Sequence, residues 1–90
     1  MSDLKARFTT AAQEVQKLKS RPSSDNLLQL YALYKQADAG NVVGDRPGVL
    51  DVVGRAKYDA WSKLKGVSRD EAMRNYVALV GKLKGQEVTA

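Results

Sequence analysis

The sequence has no cysteine and no histidine. Without a thiol there is no disulfide framework, no thiolate metal site and no cysteine nucleophile. Without an imidazole the commonest general base and the commonest metal ligand are missing. Long apolar runs are absent too: no stretch approaches the roughly 20 residues that span a bilayer. The opening MSDLKARFTT is charged and amphipathic, unlike the apolar run of a signal peptide. A soluble, cytoplasmic protein is therefore expected. Ninety residues make one domain with a modest core. Charge is the feature in surplus, with 15 Lys+Arg against 10 Asp+Glu, a net +5. That balance favours an anionic partner: nucleic acid, an acidic membrane surface or a phosphorylated small molecule. The acidic residues are interspersed, and no basic block forms a tail.

Apolar spacing predicts four helices. Leu4, Phe8, Ala11, Ala12, Val15 and Leu18 recur at three and four residues, one face of a helix over 3–18. Ser2 is its candidate cap. Pro22 closes the segment. A second helix starts at a cap on Ser23 or Ser24 and runs to about Ala39, stopping at Gly40. The stretch from Ala39 to Asp51 has little periodicity. A loop this long in so small a domain is often functional, and Val42, Val43, Val49 and Leu50 predict that it packs down. A third helix is expected over 52–65, capped by Asp51 and stopped by Gly66. Ser68 and Glu71 then have capping-box spacing, ahead of a stripe from Ala72 to Leu83. Gly81 falls inside that helix with no reason visible in the sequence. Strand-like alternation is absent, so the expected class is all-α, a small four-helix bundle.

The second helix is apolar on too many sides. At about 100° per residue its apolar arc spans about 220°, where a surface helix needs a stripe of roughly 100° or somewhat more. Leu27, Leu30, Leu33, Tyr34 and Ala37 suffice for a core face. Leu28, Tyr31 and Lys35 form a further strip. In the third helix Lys57 falls within an arc of Val53, Ala60, Trp61 and Leu64. A lone lysine on an apolar arc ordinarily lays its stem on the surface and reaches for water. Two such lysines, each beside Tyr or Trp on a different helix, suit a ligand with phosphate at one end and an apolar part at the other. Lysine would meet the phosphate as a point charge, and tyrosine offers a flat face to a base.

The segments PSSDNLLQLYALYKQADAG, RPGVLDVVGRAKYDAWSKLKG and SRDEAMRNYV carry a specific pattern. Its parts are Tyr-x-x-Tyr-Lys-Gln followed by Gly, then Pro-Gly, Gly-(Arg/Lys)-Ala-Lys, Ala-Trp and Leu-Lys-Gly. On these motifs the chain resembles the acyl-CoA-binding protein family, from about Phe8 to Leu83. The resemblance implies an up-down-down-up four-helix bundle, with residues 3–85 as a single acyl-CoA-binding domain and 86–90 as a short frayed tail. It implies that Tyr31 and Lys35 meet the adenine and 3′-phosphate of coenzyme A, with Lys57 and the fourth-helix Tyr76 joining them. Tyr76 also lies on the core stripe. Tyr34 lies on the core arc and reads as partly structural. Phe8, Ala11, Ala12, Leu27 and Leu28 match positions lining the groove for acyl chain and pantetheine, although Phe8 and the alanines are also ordinary packing residues.

Four positions depart from the family pattern. Gln16 stands where a lysine near the phosphates is common, which replaces a charged contact by a neutral one at a cost of about 1 kcal/mol. Tyr58 stands where a tryptophan is common, on the exposed side of the third helix. Asn41 replaces a usual aspartate, a change expected to touch only loop detail. Asp38 replaces a small residue away from the main site.

The resulting expectation is an intracellular carrier of medium- to long-chain acyl-CoA that binds without chemistry, needs no cofactor and works as a monomer. Its partners would be acyl-CoA-using enzymes and, transiently, a membrane surface. A thioesterase would need a nucleophile and base among scattered carboxylates at caps, loops and outer faces, and no such pair is visible. The alternative is a basic helical module binding protein or nucleic acid. No helix carries the dense Lys/Arg face that nucleic acid would require.

Overall fold

Three of the four helices begin where a short polar side chain takes up an orphan amide. The computed structural model describes the backbone of residues 3–88 and the side chains through residue 86. The helices are α1 (Asp3–Glu14), α2 (Ser24–Ala39), α3 (Val52–Ser62) and α4 (Arg69–Val88), with a 3-10 turn at Val15–Lys17. Ser23 Oγ accepts from the Asn26 amide at 3.1 Å and opens α2. Asp51 accepts from the Gly54 amide at 3.0 Å and opens α3. Ser68 Oγ accepts from the Glu71 amide at 3.0 Å and opens α4. Each satisfies one of the donors that a helix start leaves free. Only half of the expected capping box forms, because the Glu71 carboxylate turns instead to Arg74 at 2.9 Å. The expected cap at Ser2 lies outside the described residues.

Three boundaries differ from the periodicity. α1 ends at Glu14 and tightens into 3-10 geometry, after which Leu18 is extended at φ −60°, ψ 137°. Tightening satisfies the last carbonyls within a shorter span and brings Val15 and Leu18 onto the core. α3 stops at Ser62, short of 65, and winds through turns closed by Leu64→Trp61 and Lys65→Ser62 bonds. Gly66, at φ +92°, makes the final reversal, a conformation that favours glycine. α4 continues to Val88, so residues 86–88 are helical where a tail was expected. Residues 89 and 90 lie outside the described part.

Contacts between elements fix the topology. α1 and α4 run parallel, since Phe8 meets Tyr76 and, further along both, Glu14 meets Lys84. α2 runs against α4, since Tyr34 meets Tyr76 while the Ala39 carbonyl at its end accepts from Arg69 at the start of α4. α2 and α3 run parallel, since Lys57 sits on Tyr31 and Trp61 reaches Gln36. The order is up-down-down-up. The core lies between α1, α2 and α4, where Phe8, Ala11, Leu30, Leu33, Ala37, Ala72, Tyr76, Val80 and Leu83 are buried. α3 packs on the outer side of α2, and this buries Ala32 and Gln36, which lie off the expected core arc. The molecule is flat, with extents of 39 × 34 × 16 Å.

Candidate functional site

The parallel course of α2 and α3 aligns their charged apolar strips. Lys57 Nζ stands 5.3 Å from the centroid of the Tyr31 ring, and Lys35 Nζ stands 5.2 Å from that of Trp61. Each lysine thus rests on the aromatic side chain of the other helix, as a cation does over a ring face. Among the described residues the ion pairs are Arg46–Asp59, Arg74–Glu71 and Lys84–Glu14. Neither site lysine belongs to one, so two cations a few ångströms above aromatic walls have no carboxylate to neutralise them.

Trp61 is held in place by a polar network under the site. Its Nε1–H is shared between Gln36 Oε1 at 3.0 Å and the Gly40 carbonyl at 2.9 Å. Gln36, only 1% exposed, donates through Nε2 to Asn41 Oδ1 at 2.9 Å and to the Val67 carbonyl at 2.8 Å. Asn41 Oδ1 also accepts from the Gly66 amide at 2.9 Å. One oxygen therefore joins the end of α2 to the turn after α3. Asn41 is more than a loop detail, and Trp61 and Gln36 join the candidate site: the helix-face reading had Trp61 only as a flank of the lysine arc and did not single out Gln36. Both stand in the quoted motifs, which was the available signal. Gln36 falls outside both apolar arcs, and nothing in its spacing marks it as buried.

The long loop is pinned by polar contacts, and three of its four expected apolar anchors do not pack down. Arg46 grips Asp59 through two bonds, 2.9 and 2.6 Å, and the Tyr58 hydroxyl donates to the Gly44 carbonyl at 2.8 Å. The Arg46 guanidinium holds the Asp59 carboxyl below its usual range. Val42 is half-buried, but Val43, Val49 and Leu50 are 81, 71 and 96% exposed. The expectation that these side chains anchor the loop fails for Val43, Val49 and Leu50: α3 packs mainly on α2, and the loop is held by the polar contacts of Arg46 and Tyr58 instead.

A second aromatic group forms between α1, α2 and α4. Phe8 stacks on Tyr34 at 5.4 Å and meets Tyr76 edge-on at 5.1 Å. Tyr76 is buried, and that burial pushes its hydroxyl above the usual range, with Tyr34 adding a smaller push. Tyr34 was expected on the core arc, yet it is 40% exposed, so it is a wall residue as much as a core one. On α2, Leu27, Tyr31, Tyr34 and Lys35 present one surface between α1 and α3. On α1, Ala11 is buried and lines the groove shared with Val77 and Val80 of α4, and Ala12 is half-buried against the core. Two candidates stand apart. Gln16 is exposed on the 3-10 turn, outside both aromatic groups. Leu28 lines a separate cavity of about 580 Å³ on the α4 side of α3, with Ala32, Leu64 and Leu79. Among the described residues no His/Cys/Asp/Glu group could hold a metal, and no helix is long and apolar enough to cross a membrane.

Known proteins are similar in sequence and fold. The chain matches the family described as Acyl CoA binding protein over residues 5–80. It is 49% identical over 81 residues to an acyl-CoA-binding protein homolog of Manduca sexta, covering 89% of this chain and 90% of that one. It is also 49% identical over 76 residues to acyl-CoA-binding protein homolog 1 of Caenorhabditis elegans, covering 84% and 88%. The crystal structure of Oryza sativa acyl-CoA-binding protein 2 superimposes with a TM-score of 0.92 at 36% identity, covering 97% of each chain. With match, identity and fold in agreement, the chain belongs to the acyl-CoA-binding protein family.

Proposed function

We propose that this protein binds medium- to long-chain acyl-CoA thioesters and acts as their carrier. The observation that carries the reading is the pair of unneutralised lysines, Lys35 and Lys57, held on Trp61 and Tyr31. A nucleotide 3′-phosphate between the two ammonium groups would receive charge-assisted hydrogen bonds from both, and the adenine would stack on Tyr31. Tyr76, buried against Phe8 and Tyr34, would add its hydroxyl. Leu27, Phe8, Ala11 and Ala12 give the apolar wall for pantetheine and the first part of the chain. Each buried CH₂ contributes about 0.8 kcal/mol, less the cost of ordering the ligand, so affinity rises with chain length. In this reading the action is binding alone. We read the protein as a cytoplasmic monomer that buffers acyl-CoA and supplies enzymes consuming it. Gln16 stands apart from the phosphate clamp in this reading, and Leu28 faces the neighbouring cavity.

Calorimetric titration with palmitoyl-CoA, free CoA and palmitate tests it. Palmitoyl-CoA should bind far more tightly than the other two. Lys35→Ala should weaken it about 10- to 100-fold, the equivalent of the roughly 1.5–3 kcal/mol of a charged hydrogen bond. Tight binding indifferent to Lys35 would move the site. Absence of palmitoyl-CoA binding would overturn the carrier reading.

A further inference from the structure

The cavity that Leu28 lines lies on the other side of α2 from the lysine strips. With Leu27 at zero and about 100° per residue, Tyr31 and Lys35 fall between roughly 40° and 80°, while Ala32, Gln29 and Leu33 fall between roughly 140° and 240°. The cavity holds about 580 Å³ between α2, α3 and α4, within the roughly 300–1,000 Å³ of small-molecule sites. Its floor is aliphatic: Ala32 and Leu33 are buried, and Leu28, Leu64 and Leu79 are half-buried.

Polar groups stand at its two ends. Asp25 lies in the first turn of α2, and Leu33 follows about two turns later. Because α4 runs against α2, Leu79 belongs to the Asp25 end and Asn75 to the Leu33 end. α3 runs parallel to α2 with Trp61 on Gln36, so Lys63 stands at the Leu33 end as well. Among the described residues the side chains of Asp25, Gln29, Lys63 and Asn75 make no hydrogen bond and no ion pair with the rest of the protein. Asp59, one turn before Lys63, is engaged by Arg46. One end therefore pairs a free ammonium group with an amide N–H, the far end carries a carboxylate, and leucines lie between. From Leu33 back to Asp25 the floor is about 12 Å long, eight residues at about 1.5 Å each.

We propose that this groove binds the anion of a medium-chain fatty acid. The carboxylate takes charge-assisted hydrogen bonds from Lys63 Nζ and the Asn75 amide. The alkyl chain lies on Leu33, Leu28 and Leu79 and leaves water. The net charge of +5 favours an anion over an alkylammonium ion. Asp25 fixes the polarity, since a second carboxylate at the far end would face it. The groove offers a single cation and no aromatic face to a base, so it does not suit a nucleotide. It stands without the carrier reading. With that reading, the chain holds a thioester on one side of α2 and a free acid on the other.

The test is titration of the isotope-labelled full chain with decanoate, followed by amide NMR, with and without saturating palmitoyl-CoA. Decanoate should shift the side-chain amides of Gln29 and Asn75 saturably, with a Kd between about 10 μM and 1 mM. The shifts should persist beside palmitoyl-CoA. Lys63→Gln should weaken decanoate about 10-fold, the loss of one charged hydrogen bond. Gln29→Phe, which places a ring in the groove, should weaken it by a similar factor. Both residues are exposed, so thermal melting and palmitoyl-CoA titration should stay unchanged. Decylamine and decanedioate should bind more weakly than decanoate. Decanoate shifts in a protein that failed to bind palmitoyl-CoA would uphold the groove while removing the carrier reading. Absence of saturable shifts at Gln29 and Asn75 would overturn the proposal. So would displacement of decanoate by palmitoyl-CoA, indifference to Lys63→Gln, or equal binding of decylamine.

Discussion

Gln36 shows how one polar side chain can organise a site it does not face. Buried to 1% exposure, it accepts from Trp61 and donates to Asn41 and to the carbonyl of Val67. A buried amide survives only with such partners, because an unmade hydrogen bond keeps its full desolvation cost. The network fixes the plane of Trp61, and the plane of Trp61 fixes where Lys35 can rest. Trp61→Phe removes the shared N–H and strands Gln36 Oε1. It should cost about 1–3 kcal/mol, read from urea denaturation at constant slope. It should also weaken palmitoyl-CoA binding, since Phe gives a cation a poorer face than Trp. A stability loss without any loss of affinity would show that Lys35 needs no platform.

Two glycines in helices have opposite roles at the scale of the element. A Cβ on Gly54 would collide with the Asp51 carboxylate that caps α3. Gly54→Ala should therefore dislodge the cap and cost about 0.5–2 kcal/mol. Gly81, beside the shallow groove between α1 and α4, would meet nothing within 4 Å. Gly81→Ala should stabilise by up to about 1 kcal/mol, the helix-propensity difference. Thermal melting of the two variants should move in opposite directions, and a shared direction would contradict one of these readings. The long loop depends on pH through Arg46 and Asp59. Because the folded carboxyl titrates below its usual range, the pair contributes above the ordinary carboxylate value and is lost as pH falls through the depressed one. Both side chains are exposed, so the effect is small and sensitive to salt. The stability difference between wild type and Asp59→Asn should be present at neutral pH and vanish in strong acid. A difference that persisted there would assign it to packing.

For the whole molecule, ligand and fold are linked. The proposed site, with walls from α1, α2 and α3, forms only when those helices are docked, so a ligand binding there stabilises the folded state alone. Palmitoyl-CoA at about 100 times its Kd should add about 2.7 kcal/mol to the unfolding free energy. Lys35→Ala should reduce this at equal ligand concentration. Equal stabilisation by free palmitate would indicate apolar binding unrelated to the phosphate clamp.

Much of this architecture was legible in one dimension. Caps at Ser23 or Ser24, at Asp51 and at Ser68, stops at Gly40 and Gly66, and the apolar spacing follow from local chemistry that acts within a turn of helix. The lysine strips on two helices were legible for the same reason, since residues three and four apart share a face. The fate of the second apolar side of α2 was decided by what packs on it. α3 covers Ala32 and Gln36 but not Tyr34, and no periodicity within α2 distinguishes these neighbours. The exposure of Val49 and Leu50, the Trp61–Gln36–Asn41 network and the cavity between α2, α3 and α4 arise between residues distant in sequence. Composition and spacing determined which helices form and which faces are unusual. Only the docking of α3 against α2 brought Lys35 to Trp61 and Lys57 to Tyr31, because a pairing across helices depends on direction and register, which local chemistry leaves open.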